Sequence, residues 1–166
     1  MTFLLEAVII CILFHIIIVS SLLKDPLKWV EDYPPAIVRR CEELRLVKKT
    51  ETVRLKEFFI SKTKKAILLS VILTLIVVFI NGCETFWQAF LTGYGLWAIV
   101  AWYDALILDC LWFCHSKKCI IPGTEDMTEA YHDYMFHIKM SCVGMVLGLP
   151  VCILAGAFTY LINLVI

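Results

Sequence analysis

The sequence lacks the short motifs by which many enzyme classes are recognised. It contains no nucleotide-binding glycine loop, no HExxH metal signature and no CxxC redox pair. It has no internal repeat, and its long apolar stretches are too few for the common inverted-repeat transporters. The placement of its polar residues therefore becomes the main evidence on function.

Charged residues are scarce, at 18% of the chain, whereas hydrophobic residues make up 61% of its 166 positions. A water-soluble core of this size cannot hide so much apolar surface. Four stretches approach the length of about 20 apolar residues that a spanning helix needs, and they cover residues 3–23, 66–82, 86–114 and 136–165. We predict an all-α polytopic membrane protein in which residues 1–166 form a single membrane domain, a four-transmembrane-helix bundle.

No basic residue precedes the first apolar stretch, and no small-residue cleavage pattern follows it. Lys24 and Lys28 come directly after its end. This arrangement is typical of an anchored helix whose amino terminus lies outside, and not of a cleaved secretory signal.

Lysine and arginine are absent from residues 66–116, and all 15 of them fall on one side of the predicted bundle. Twelve lie within residues 24–65, and the others are Lys117, Lys118 and Lys139. The positive-inside rule therefore places segments 24–65 and 115–135 in the cytoplasm, and both termini outside. We expect an integral protein of the plasma membrane.

The cytoplasmic segment 24–65 shows apolar residues at helical spacing, first at Ile37 and Cys41 and then at Leu55 and Phe58. This pattern predicts two short amphipathic helices. A basic amphipathic element can lie in the headgroup layer and bind anionic lipid. In the alternative interpretation the segment is a solvated connector whose charges only set the topology.

Ionisable residues inside an apolar span cost about 2.5–3.5 kcal/mol each on insertion scales, so each of them is a candidate functional residue. Asp104 and Asp109 lie in the third stretch, and His15 lies in the first. The helical rise brings His15 and Asp104 to similar depth, which suggests a pair that handles protons. In the alternatives the two residues only fix packing, or do not meet. On an α-helix, Asp104 and Asp109 would point about 140° apart and could not converge on one ion.

A second concentration of polar residues lies in segment 120–139. We predict that Thr124 caps a helix on which Glu129, Asp133 and His137 follow at positions i, i+4 and i+8 of one face. Two carboxylates and an imidazole in this spacing could hold a divalent metal or a charged headgroup. Interfacial anchoring and packing are the alternative explanation.

His132 and Lys139 border this group and complete the candidate ligand or proton site. A third group offers soft metal ligands, namely Cys110, Cys114, Cys119 and His115. Since membrane helices also use cysteine as a small hydrophobic residue, packing is again the alternative.

Gly144 and Gly148 have the GxxxG spacing that allows two helices to approach closely. The stripe could pack against another helix of the same chain or could form a homodimer. The sequence alone does not choose between these uses.

Three classes of function remain open. We favour small-molecule or ion binding and transport, with His15, Asp104 and Asp109 in a cavity open to the cytoplasm. The alternatives are a membrane-embedded enzyme that acts on a lipidic substrate with His132 and His137, and a non-catalytic partner subunit of a membrane complex. The sequence identifies no cofactor, and we expect the lipid bilayer but no nucleic acid as a partner.

Overall fold

The computed structural model describes residues 3–47 and 55–165, and every regular element in these ranges is helical. The α-helices are α1 (Phe3–Lys24), α2 (Pro35–Glu43), α3 (Leu55–Leu75), α4 (Phe86–Tyr103), α5 (Thr128–Tyr131) and α6 (Tyr134–Val165). Short 3₁₀ turns cover Pro26–Asp32, Phe113–His115 and Lys117–Cys119.

Four helical stretches are long and apolar enough to cross a membrane. They are Phe3–Lys24, Thr63–Ile80, Phe86–His115 and the stretch that ends at Val165. A helix satisfies all its backbone hydrogen bonds internally, which a chain in lipid requires. The prediction of an all-helical four-helix membrane bundle is therefore confirmed.

Two of the spanning helices change from α to π hydrogen bonding before they end. The π segment Ile76–Ile80 continues α3, and the longer π segment Asp104–Trp112 continues α4. In a π-helix each N–H bonds to the carbonyl five residues earlier, so a turn takes more residues than in an α-helix and residues five apart lie closer to one face. This change in periodicity decides which side chains of α4 share a face.

The chain divides into two compact units. The first unit consists of Met1–Ile9, Thr52–Ala101 and Cys142–Ile166, and the second consists of Ile10–Glu51 and Trp102–Ser141. Each unit has its own packing and its own polar groups.

Close helix packing in the first unit depends on small residues. The indole of Trp97, on α4, covers buried Gly148 so closely that a Cβ there would overlap the ring. The same indole Nε1 donates to the carbonyl oxygen of Gly144 at 3.1 Å. Gly148 of the GxxxG stripe is therefore covered by a residue of the same chain. A homodimer through Gly144 and Gly148 stays a prediction.

The core of the second unit lies outside the spanning helices for the most part. Tyr33, Ile37, Cys41 and Cys119 are all nearly or fully buried in one apolar cluster. The Tyr33 hydroxyl donates to the carbonyl oxygen of Cys119 at 3.0 Å, and its ring meets Phe113 edge-on. The segment after α1 is therefore a packed structure and not an extended connector.

The structure corrects the expectation of two short amphipathic helices. The first is present as α2, but Ile37 and Cys41 are fully buried in the protein, so its apolar face is not free to enter the headgroup layer. The second does not exist as a separate helix, because α3 runs without a break from Leu55 to Leu75. Residues 48–54 lie outside the described part of the chain.

Candidate functional site

An ion pair between α4 and α6 forms the centre of the second unit's polar site. The Nδ1 atom of His137 lies 3.2 Å from Oδ2 of Asp109. His137 is only 3% exposed, and the rings of Phe113 and Phe136 meet its imidazole at 5.3 Å between centroids. The other ring nitrogen, Nε2, is buried and has no hydrogen-bond partner.

The environment of Nε2 follows from the chemistry of the pair. An ionised carboxylate can only accept a hydrogen bond, so Nδ1 of His137 carries the proton that it donates to Asp109. In the neutral ring, Nε2 then presents a lone pair, whereas in the protonated ring it presents an N–H. Both forms leave a strong hydrogen-bonding atom buried without a partner in the described part of the chain, which is costly unless a ligand engages it.

The π segment of α4 brings a second carboxyl toward this pair. Asp104 and Asp109 are five residues apart, so in the π-helical geometry of Asp104–Trp112 they lie closer to one face than an α-helix would place them. Both side chains are partly buried. The expectation that the two aspartates diverge by 140° was therefore wrong, because it assumed α-helical periodicity.

His15 has a different neighbour from the one that its depth predicted. Its Nδ1 lies 2.8 Å from the hydroxyl of Tyr103, the residue before Asp104, and the rings are tilted at 6.2 Å between centroids. Helical rise gave the correct depth, but rise alone does not fix which side of α4 faces α1. The structure thus gives His15 a phenol as its hydrogen-bond partner.

The structure does not contain the single helix that the proposed metal group of Glu129, Asp133 and His137 requires. α5 ends at Tyr131, and Asp133 begins α6 as its cap, with Oδ1 accepting from the backbone N–H of Phe136 at 3.0 Å. Glu129, Asp133 and His137 therefore do not follow one another on one helix. Among the described residues, no group of three or more His, Cys, Asp or Glu side chains could hold a metal ion.

Thr124 does not cap a helix, contrary to the prediction. It is fully buried, and its Oγ1 donates to the carbonyl oxygen of Ile121 at 2.7 Å. The hydroxyl of Tyr131 donates to Oγ1 of Thr124 at 2.7 Å and accepts the backbone N–H of Ile121 at 2.9 Å. This closed network fixes the loop before α5 and leaves no polar atom for a ligand.

The remaining candidates lie at the surface of the second unit. His115, His132 and Tyr134 stack, with 5.3 Å between the two imidazole centroids, and the Tyr134 hydroxyl is 3.4 Å from Nε2 of His115. Lys139 is exposed on α6. Of the soft-ligand group, Cys114 and Cys119 are buried in the apolar cluster with Cys41. Thus His137 and Asp109 are the candidates that the structure brings into contact, with His137 buried and the Asp109 side chain 31% exposed.

Two polar residues of the first unit were missed by the sequence reasoning. Glu6 is 2% exposed on α1, and its Oε1 accepts from the amide Nδ2 of Asn81 at 3.0 Å. The sequence did contain a signal for Glu6, because an acidic residue inside an apolar stretch marks a candidate site by itself. In the second unit, the role of Tyr103 as the partner of His15 was also missed, because a single sequence does not show which side of a helix faces its neighbour.

The fold and the buried ion pair define a class: a polytopic helical membrane protein with an acidic and histidine site between two of its spanning helices. No protein-family model matches the chain, and no curated protein or solved structure does.

Proposed function

We propose that the protein binds and transports an ion or small molecule, with Asp109 and His137 as the central binding groups. The observation that carries this proposal is Nε2 of His137, a buried ring nitrogen with no partner beside an occupied Nδ1. A packing role alone would leave this atom unsatisfied. A ligand that donates to Nε2 of the neutral ring, or that accepts from the N–H of the protonated ring, removes the penalty.

The charge of the site supports a cationic substrate. The carboxyl of Asp109 contacts the imidazole, and a second carboxyl, that of Asp104, lies in the same π segment. An imidazole paired to a carboxylate is a common proton-transfer arrangement, and histidine changes charge near physiological pH. The group can therefore exchange a proton for another cation, which is the elementary step of proton-coupled transport.

The experiment uses the protein reconstituted in liposomes on a solid-supported membrane, with proton, Na⁺ and K⁺ concentration jumps as probes. We expect charge displacement in the wild type and its loss in Asp109→Asn and His137→Gln. The matched control is Asp126→Asn, which neutralises an exposed aspartate of the same unit and should leave the displacement unchanged. If none of the three probes moves charge in the wild type, the proposal is wrong.

We also propose a topology for this function. The segments 24–65 and 115–135 lie in the cytoplasm, and both termini lie outside, in the plasma membrane. The distribution of all 15 lysine and arginine residues supports this orientation. It would make the Asp109–His137 pair accessible from the cytoplasmic side.

A further inference from the structure

A second buried acid lies in the first unit, apart from the residues of the proposed function. Glu6 follows only a few residues after the start of α1, and 2% of it is exposed. Its neighbour Ala7 is 3% exposed, so this face of α1 is packed against protein and not solvated. A carboxyl group in such a place needs partners for both of its oxygens.

Among the described residues, only one oxygen of Glu6 has a partner. Nδ2 of Asn81 donates to Oε1 at 3.0 Å, whereas Oε2 is buried and has no hydrogen-bond partner in residues 3–47 and 55–165. Asn81 directly follows the π segment Ile76–Ile80, and its Nδ2 also lies 3.5 Å from the carbonyl oxygen of Ile76. The amide is thus fixed between the helix end and the carboxyl, and it orients the carboxyl with Oε2 free.

No basic side chain along the two helices lies near Glu6, although the start of α1, where Glu6 lies, is the positive end of that helix dipole. Asn81 marks the carboxyl end of a helix, where the helix dipole is negative and a further negative charge is unfavourable. The nearest lysines along the two helices are Lys24 and Lys65, at a helical rise of about 27 Å and about 24 Å from this point. Residues 66–116 contain no lysine or arginine at all. No basic side chain on these helices can therefore neutralise Glu6.

We infer that Glu6 and Asn81 form a binding site for a small monovalent cation, with Oε2 of Glu6 as the atom that binds it. The candidate cations are a proton, Na⁺, K⁺ and a primary ammonium ion. They share a single positive charge, and each is small enough to fit against a packed helix face. Asn81 acts as the positioning residue, because it holds Oε1 and leaves Oε2 for the cation. This inference does not rest on the function proposed for Asp109 and His137.

The test uses the full-length protein in lipid nanodiscs and has two measurements. The first is the infrared carbonyl stretch of a protonated carboxylic acid, compared between the wild type and Glu6→Gln. The second is the thermal unfolding temperature in NaCl, KCl and methylammonium chloride, with choline chloride at equal ionic strength as the reference salt. Glutamine has the shape of glutamate and keeps the bond from Asn81, so it removes the charge without removing the contact.

A bound proton predicts an infrared band that Glu6→Gln loses. A bound metal or ammonium ion predicts a saturable rise in unfolding temperature with that ion over choline, abolished by Glu6→Gln and weakened by Glu6→Asp. Glu84→Gln, at an exposed glutamate of the same unit, should behave as the wild type in both measurements. The inference is overturned if the wild type shows no infrared band that Glu6→Gln removes and no ion-specific rise in unfolding temperature. This result would leave the charge-displacement test of Asp109 unaffected.

Discussion

The two ring nitrogens of His137 face different surroundings, and this difference is the basis of the proposed site. Asp109 holds Nδ1, and the rings of Phe113 and Phe136 enclose the imidazole, so the ring cannot turn to exchange its nitrogens. A fixed ring with one free nitrogen is a defined binding group. A mobile ring on the surface, such as that of His132, would not be.

Removing the Asp109 carboxylate should destabilise the protein, because Nδ1 of His137 would then also be buried without a partner. Asp109→Ala is expected to lower the free energy of unfolding by about 1–3 kcal/mol. The measurement is unfolding in bicelles or mixed micelles. Asp126→Ala, at an exposed position, should change it by less than about 0.5 kcal/mol; equal effects of the two substitutions would show that the buried pair is not formed.

Burial raises the pKa of the Cys41 and Cys119 thiols above the ordinary value of 9.0, and it also raises that of the Tyr33 hydroxyl. A group whose folded-state pKa is raised contributes stability below its unfolded-state pKa, and loses it as the pH rises through the folded-state value. We therefore expect the folded protein to lose stability above pH 9.0, the ordinary thiol value.

This alkaline loss is measurable as the unfolding free energy against pH, together with the rate of thiol alkylation in the folded protein. Cys41→Ala combined with Cys119→Ala should make the decline shallower. If both thiols of the folded wild type alkylate at the rate of an exposed cysteine near pH 9.0, the buried cluster is not as described.

At the scale of the helices, the most specific packing contact is the indole of Trp97 on Gly148. The absence of a side chain at Gly148 lets the ring lie against the backbone of α6, and the carbonyl of Gly144 receives the indole N–H. A buried Trp thus has a partner for its polar atom as well as a flat surface for its ring.

Gly148→Ala should destabilise the protein by about 1–3 kcal/mol, because the added methyl overlaps the Trp97 ring. Gly144→Ala is the matched control on the same helix: nothing lies within 4 Å of a Cβ there, so no loss is expected. Unfolding of the two variants under the same conditions gives the comparison. A larger loss for Gly144→Ala would indicate that the stripe packs against a second copy of the chain instead.

At the scale of the whole molecule, the proposed orientation in the membrane rests on charge and not on packing. The four spanning helices are apolar, and the basic residues that flank them all belong to the same set of connections. Basic residues are retained on the cytoplasmic side during insertion. The orientation is therefore open to a direct chemical test.

A cysteine placed at Glu84, which is exposed between α3 and α4, should react with a membrane-impermeant maleimide in intact cells. A cysteine placed at exposed Lys118 should react only after the membrane is permeabilised. The wild type has eight cysteines of its own, so its labelling is measured as the background and subtracted. The reverse pattern would invert the topology and place the Asp109–His137 pair on the outer side.

Much of the fold could be predicted because hydropathy is a local property of the chain. The predicted stretches 3–23 and 86–114 match helical stretches Phe3–Lys24 and Phe86–His115 almost residue by residue. Asp109 and His137 could be singled out for the same reason, since an ionisable side chain near an apolar span is conspicuous by itself. Their pairing could not be foreseen, because it depends on a π segment that has no clear sequence signal.

The sequence by itself determined the number of spanning helices and the residues that are out of place in them, because length and polarity decide what a bilayer accepts. Only the tertiary structure decided the partners: Asp109 for His137, Tyr103 for His15 and Asn81 for Glu6. Which faces of two helices meet depends on helix periodicity and on close contacts such as that of Trp97 with Gly148. These properties belong to pairs of distant residues, and no stretch of sequence carries them alone.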